Sequence, residues 1–508
     1  MQRDNEQVGP GVNQGTRSAV FSGVRWAGGA LLFNRLARFL SMAVLARLLV
    51  PEMFGLVTMA TASMQVLGAI REIGIGSAFV QRKYADQDET ALAADSTFVL
   101  SLLMNGALAG VAWIMAPWIA SFFQEMQSEL TLILRVMFSL FLLEPFMSTP
   151  MLLLQKGLAF EKLASAEICA ALVQGVVSIV LALFDFGAWS LVYGLLAARL
   201  VQTLLLMRFA HWSPRLRYDK HLALDLFGYG KYLWAFAAIS AVGGALDKMV
   251  IGREFGKEEL GFYGLAFTLC MLPTQFVTSL VKQIAFPALA KIKDDPAGLS
   301  DALEEALSYV ALMALPIGFG LLSVAEPFVL SVYGQQWRES IPLVRILAFF
   351  GLIISVSSVT GPVFKAVGKP DLILWTGLIH QGVLFAMLYT LLGLGLQGIA
   401  LAILIPQVLS ATLAFAWISK LLVQSPRRFV TPILLATLPA ALMSLLCSET
   451  YVLLHPLMRR SIALTITISI GVLAYVALSL LLNRRRSQDF LLQIRKIIAG
   501  GVRRTRKA

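Results

Sequence analysis

Phe227–Ala266 reads FGYGKYLWAFAAISAVGGALDKMVIGREFGKEELGFYGLA, and this stretch decides the fold. Its first part, Phe227 to Ile251, is an apolar helix carrying the adjacent pair Asp247-Lys248 near its end. The run stops at Gly252-Arg253, crosses a polar turn from Glu254 to Gly261, and becomes apolar again at Phe262. The same pattern stands 206 positions earlier: Arg47 aligns with Arg253, Glu52 with Glu258, Phe54 with Leu260, Gly55 with Gly261 and Ala60 with Ala266. The first hydrophobic pair of the chain thus recurs as the seventh and eighth helices. Such a repeat implies two bundles, with a site expected in the cleft between them.

Outward from that stretch, the composition is that of a membrane protein. The chain has 508 residues, 58% hydrophobic and 14% charged, against about 25% charged in soluble proteins. A crossing takes about 20 apolar residues, and fourteen are read: 22–48, 55–76, 96–118, 129–153, 166–184, 187–209, 226–251, 261–285, 303–324, 341–364, 371–392, 396–419, 430–453 and 461–482. Tight hairpins at Phe184–Gly187 and Leu392–Leu396 separate spans that would otherwise merge. The loops are short and leave no room for a soluble catalytic domain. Trp113, Trp118, Trp189, Trp212, Trp234 and Trp337 fall mostly near span ends, as an interfacial belt requires. Phe490 to Ile498 reads as a short amphipathic helix lying on the inner leaflet.

The net charge is +12, and the tail from Arg484 onward supplies most of it with nine Lys/Arg and one Asp. The other cations fall in alternate loops, including Arg82, Lys83, Lys156, Lys162, Arg215, Arg217, Lys220, Lys365, Lys369, Arg427 and Arg428. The intervening loops carry only Arg253, Lys257, Arg338, Arg459 and Arg460. That asymmetry places both termini in the cytoplasm and signals attraction to anionic lipid rather than nucleic acid. Met1 to Ser18 is polar and lacks the layout of a cleaved signal, so the first helix is expected to act as an uncleaved anchor. Cys169, Cys270 and Cys447 lie in apolar segments and are expected to be small core residues; no spacing suggests a metal.

Charges at bilayer depth are costly and usually face partners or a wet cavity. Arg35 and Arg38 sit three apart, on one face of the first span. Their guanidinium forks suit phosphate oxygens; the bland reading makes them structural bridges to carboxylates such as Glu144. Arg199, mid-way along the sixth span, extends the same cationic wall, snorkels or bridges. Glu144 precedes Pro145 and Pro150, so a kinked or broken helix is expected there, with the carboxylate either holding a coupling ion or partnering an arginine. Asp247 and Lys248 diverge by about 100° around their helix and are expected to meet different neighbours. Asp247 is a candidate for gating or cation coupling, and Lys248 can reach the outer interface. His380 is a further coupling candidate, against the bland reading of an interhelical hydrogen bond. Asp86, Asp88 and Glu89 read as a solvated loop rather than a metal cluster. Gly368-Lys369 is followed by Pro370 and lacks the spacing of a nucleotide loop, and no nucleophile elbow or zinc motif is present. The chain reads as a transporter, not an enzyme, driven by a proton or sodium gradient, the membrane potential or substrate flow, with no cofactor.

The run Ala46 to Gly55, ARLLVPEMFG, resembles the first outer turn of the polysaccharide transporter family, the Wzx-type flippases of the multidrug/oligosaccharidyl-lipid/polysaccharide exporter superfamily. Ile73 to Ala78 with Val80-Gln81-Arg82 is similar to that family's second-span exit, and Asp247-Lys248, Ile251 to Arg253 and Leu260 to Tyr263 to its seventh-span signature. Val50 stands where the second copy has Gly256, a mild departure. The resemblance implies an all-α polytopic fold of about fourteen helices: two six-helix lobes and two C-terminal helices around a cationic cavity. On this chain that means a tail at 1–19, lobes at 20–222 and 223–425, the extra pair at 426–482 and a basic tail at 483–508. It also implies transfer of an undecaprenyl-pyrophosphate-linked oligosaccharide across the bacterial inner membrane for exopolysaccharide, capsule or O-antigen synthesis. Arg35, Arg38 and Arg199 would face the pyrophosphate, with a polysaccharide polymerase and co-polymerase as candidate partners. The alternatives are a cation-coupled drug or metabolite antiporter of the same architecture, a glycan polymerase or ligase, and a non-transporting scaffold.

Overall fold

A computed structural model describes residues 33–71, 86–124, 127–219, 240–274, 295–369, 371–484 and 486–489, with isolated residues between 76 and 84 and at 492. The segment expected at 490–498 lies, but for one residue, outside the described residues. All the regular structure described is helical. In chain order the helices are α1 (33–48), α2 (Pro51–Arg71), α3 (Gln87–Phe122), α4 (Gln127–Lys156), α5 (Phe160–Leu183) and α6 (Ala188–Ala210). They continue with α7 (240–254), α8 (Lys257–Cys270), α9 (Pro296–Val332), α10 (Ser340–Ser357) and α11 (Thr360–Ala366). The last are α12 (Asp371–Leu391), α13 (Gly395–Leu421), α14 (Pro426–Leu454) and α15 (Arg460–Leu482). Among the described residues nine runs are long and apolar enough to cross a membrane. One of them, Asp371–Leu421, holds two helices, α12 and α13. The fold is that of an all-α polytopic membrane protein.

Local chemistry sets the boundaries. Both tight hairpins hold. Asp185 and Gly187 turn the α5–α6 corner at φ 60° and 55°, and a single 3₁₀ turn with Gly395 at φ 68° separates α12 from α13. Asp295 caps α9, its carboxylate accepting from the Ala297 N–H at 3.0 Å, with Pro296 in the first turn. The expected break at Pro145 and Pro150 does not occur, because α4 runs unbroken through both. The break falls instead in α9 at Val324 (φ −107°, ψ 15°), three residues before Pro327.

Contacts divide the chain into two compact units. The first comprises Met1–Leu45, Ile70–Ala116 and Leu132–Ala235; the second comprises Ala46–Ala69, Pro117–Thr131 and Phe236–Ala508. The end of α1, nearly all of α2 and the tip of the α3–α4 hairpin are grouped with the second half of the chain.

In the first unit, Gly175 of α5 and Ser41 of α1 pack so closely that a Cβ on the glycine would overlap the serine Oγ. Gly194 meets Ser178 the same way across the α5–α6 hairpin. Small residues let membrane helices approach where no hydrophobic drive separates protein from lipid. Lys156 ends α4 by donating to the Arg82 carbonyl at 2.8 Å, its ammonium 3.7 Å from the Tyr84 ring centre. The second unit has its own core: Leu303, Leu307 and Val310 of α9, Val363 and Phe364 of α11, Ile418 of α13 and Phe429 of α14. The extra pair packs on α9, where the Tyr475 hydroxyl donates to the Leu312 carbonyl at 2.8 Å.

Two sequence expectations change. Cys270 and Cys447 are buried, but Cys169 is exposed on the apolar surface of α5 rather than in a core. Trp113 and Trp118 face outward, as belt residues do, whereas Trp337 is fully buried.

Candidate functional site

The first unit holds the arginine candidates. Arg38 on α1 is exposed, and its Nε donates to the neutral Asn34 amide oxygen at 2.8 Å. No carboxylate among the described residues pairs with it. Arg35, one turn away and half-buried, is engaged; the exposed Glu167 carboxylate of α5 acts on its charge. Ser41 at Gly175 and Arg35 near Glu167 make α1 and α5 run in the same direction, as three intervening crossings require. Arg199 is exposed in the middle of α6, with Nη1 3.3 Å from the Gln202 Oε1 and 3.7 Å from the Met147 sulfur, again neutral partners. No direct contact joins Arg199 to Arg35 or Arg38 among the described residues. Glu144 is half-buried on α4 and also engaged.

The second unit holds the coupling candidates. Asp247 is 4% exposed. Lys248 and Asp247 meet different neighbours on α8, Phe267 and Tyr263, but they also meet each other. Lys248 folds back on its own helix, with Nζ 3.3 Å from the Asp247 Oδ1 and 3.1 Å from the Gly244 carbonyl. The ammonium also lies 4.4 Å from the Phe267 ring centre. The other carboxylate oxygen accepts from the Tyr263 hydroxyl of α8, itself fully buried. Asp247 is thus satisfied on both oxygens by one cation and one phenol. Tyr263 stands inside the quoted stretch and closes the seventh-span signature, yet nothing in the sequence pairs it with Asp247. Its signal is positional: a phenol in the apolar run after the turn needs a polar partner. His380 faces Ser410 of α13, Nδ1 to Oγ 3.4 Å, an interhelical hydrogen bond.

No group of three His, Cys, Asp or Glu suited to a metal occurs among the described residues. In the acidic run at 86–89, the Asp86 carboxylate accepts from the Glu89 N–H at 2.7 Å, so it caps the start of α3.

Comparison with known proteins agrees with this fold. The chain is similar to the lipopolysaccharide biosynthesis protein WzxC of Escherichia coli strain K12, 25% identical over 82% of this chain and 84% of that protein. It is similar to the succinoglycan biosynthesis transport protein ExoT of Rhizobium meliloti strain 1021, 28% identical over 68% of each. The match to the teichuronic acid biosynthesis protein TuaB of Bacillus subtilis strain 168, 27% identical, covers 60% of this chain and spans 62% of that protein's length. Among solved structures, the lipid II flippase MurJ in an inward closed conformation superposes with a TM-score of 0.71 at 14% identity, over 90% of this chain and 98% of that one. An inward-facing multidrug resistance MATE transporter of the MOP superfamily gives 0.58 at 17%, over 77% and 95%. At these identities the two structures speak for the fold. The family model for polysaccharide biosynthesis proteins matches residues 44–342, which includes both copies of the repeat, and the chain belongs to that family.

Proposed function

We propose that the protein carries a lipid-linked oligosaccharide, with an undecaprenyl pyrophosphate anchor, from the inner to the outer leaflet of a bacterial cytoplasmic membrane by alternating access. Family membership supports this class of cargo, in line with the glycan-biosynthesis names of its relatives. One observation carries the assignment of the site: Arg38 and Arg199, both on membrane helices, have only neutral partners among the described residues. A guanidinium at bilayer depth without a counter-ion costs at least about 2.5–3.5 kcal/mol. A diphosphate supplies the missing charge, and its oxygens match the planar fork. A cationic drug would meet repulsion at the same place, which weighs against the antiporter reading that the fold alone admits.

Transport in one direction needs an affinity difference between the two states. A proton or sodium ion competing with Lys248 for Asp247 supplies one. Both termini lie in the cytoplasm in this reading, and a polymerase and co-polymerase receive the cargo outside. The test replaces Arg38 and Arg199 singly and together with glutamine. Polymer export should fall at least tenfold in the double variant, with lipid-linked repeat units accumulating and membrane levels of the protein unchanged. Lysine at either site should restore part of the activity. Normal export from a well-folded double variant would reject the site.

A further inference from the structure

The two copies of the repeat meet each other inside the second unit. A Cβ on Gly55 of α2 would overlap the Lys257 carbonyl at the start of α8, and a Cβ on Gly261 of α8 would overlap the Pro51 carbonyl at the start of α2. The offset of 206 that relates Gly55 to Gly261 also relates Pro51 to Lys257. The contact is therefore reciprocal, each copy placing its glycine on the other's first helical residue, as around a local two-fold axis. One turn further, Thr58 and its counterpart Gly264 face each other, the Thr58 Oγ1 being 3.2 Å from where a Gly264 Cβ would stand. Lys257 and Glu52 close the crossing with an ion pair at 3.2 Å.

The same symmetry sends each copy's arginine to the C-terminal end of a long helix in the opposite half of the chain. Arg47 donates through Nε to the Val332 carbonyl at 2.8 Å and through Nη2 to the Ser331 carbonyl, both at the end of α9. Arg253 points Nη1 at the Phe122 carbonyl, the end of α3. Those carbonyls have no partner within their own helix and carry the negative end of its dipole, so a guanidinium is the fitting cap.

The two arms differ in strength. Both arginines are exposed; Arg253 makes one bond at the 3.5 Å limit, lies 4.7 Å from the Phe122 ring centre and shares its charge with the adjacent Glu254 at 3.4 Å. Arg47 makes two bonds, and its side adds hydrogen bonds to the Ala46 carbonyl, where on the other side Phe123 only packs against Gly252, the counterpart of Ala46. The Trp337 Nε1 donates to the Ala46 carbonyl at 2.7 Å, and the Gln336 amide donates to the same oxygen at 2.7 Å. The Trp337 ring lies edge-on to Phe54 of α2 (5.2 Å) and to Phe262 of α8 (6.2 Å), wedged between the two copies. The helix ends that the two arginines cap, Val332 and Phe122, stand 210 positions apart, which sets Gln127 opposite Trp337.

We infer that this crossing is a one-sided latch closing the membrane face that carries the Gly-Arg turns, held by Arg47 with Trp337, while its repeat partner Arg253 bears little of the load. The latch rests on the alternating-access reading above, in which this face must open to release cargo. α1, α3 and α4 each have one end in the second unit and the rest in the first, and α2 lies in the second but for its last two residues. Opening would therefore release these ends from α8 and α9.

The test reads conformation apart from cargo. A cysteine at Thr58, in a chain with Cys169, Cys270 and Cys447 replaced, is titrated in whole cells with a membrane-impermeant maleimide. Arg47→Gln and Trp337→Ala should each raise the labelling rate about tenfold, the effect of about 1.4 kcal/mol of lost hydrogen bonding, charge-assisted at Arg47 and neutral at Trp337. Arg253→Gln should raise it less than about twofold. Equal rises for Arg47 and Arg253, or no rise for Arg47, would overturn the inference. A second measurement does not depend on weakening the fold. Cysteines at Glu52 and Lys257, joined by a short cleavable bis-thiosulfonate, should stop polymer export and release it on reduction. Full export with the pair cross-linked would also overturn the latch. If the latch variants behave as expected while the Arg38/Arg199 variant exports normally, the latch stands and the site assignment falls; the opposite pattern condemns the latch alone.

Discussion

Asp247 shows how much a single residue's role depends on its neighbour's stem. A wheel drawn from Cβ directions sends Asp247 and Lys248 apart. The lysine's four flexible carbons nevertheless return its ammonium to 3.3 Å from the adjacent carboxylate. The side chains are 6% and 16% exposed, so this is a buried pair. Losing one member of such a pair strands the other, at about 3–5 kcal/mol. Lys248→Met should therefore lower the unfolding midpoint sharply in detergent, and the double variant Asp247→Asn/Lys248→Met should recover most of it. An unchanged midpoint in the single variant would mean that Asp247 does not hold its charge in this state. The sequence marked both residues as unusual, since two charges inside an apolar run are visible without coordinates. It did not show Tyr263 as the third member, because the phenol is 16 positions away and crosses a helix boundary.

At the scale of elements, helix ends were legible and helix interiors less so. Proline leads the first turns of α9 and α14, and glycine with positive φ ends the tight hairpins, as local chemistry requires. Proline inside a span was a poorer guide. Pro145 and Pro150 leave α4 continuous, while Pro327 accompanies the kink in α9. Neighbouring helices decide whether the freed carbonyl is satisfied in place. A second element-scale feature joins α9, α14 and the segment after α15. Arg428 of α14 pairs with Asp301 and, at 3.0 Å, with Glu304; Glu304 also receives Arg486 at 2.5 Å. These groups are partly exposed, and solvent discounts their worth to about 1 kcal/mol. Arg428→Ala should cost about that much in dilute buffer and nearly nothing in 1 M salt, where screening reaches about 3 Å. A loss independent of salt would assign the residue to packing instead.

For the molecule as a whole, the alternating Lys/Arg loops make a direct prediction. A green fluorescent protein fused after Ala508 should fold and fluoresce in the cytoplasm. An epitope inserted in the α14–α15 turn, His455 to Arg459, should be reached by antibody only from outside. Staining of that epitope only after permeabilisation would invert the orientation and move the latch to the cytoplasmic face. Removing the basic tail from Arg484 onward should weaken binding to anionic lipid by about 1 kcal/mol per cation held near the surface, measurable in vesicles with and without anionic lipid.

The sequence by itself determined the class of the protein, the order of its spans and the sign of the charges buried in them. Partition of a helix into lipid is local and nearly additive, so about 20 residues at a time suffice to read it. It also exposed the 206-residue repeat, since the two copies keep their turn residues. Only the tertiary structure decided which buried charges find a partner and which of two equivalent arginines bears load. Arg47 meets Val332 across 285 positions, and Trp337 meets Ala46 across 291. Pairing at such separation depends on how helices pack, because a hydrogen bond forms only when both atoms come within about 3 Å.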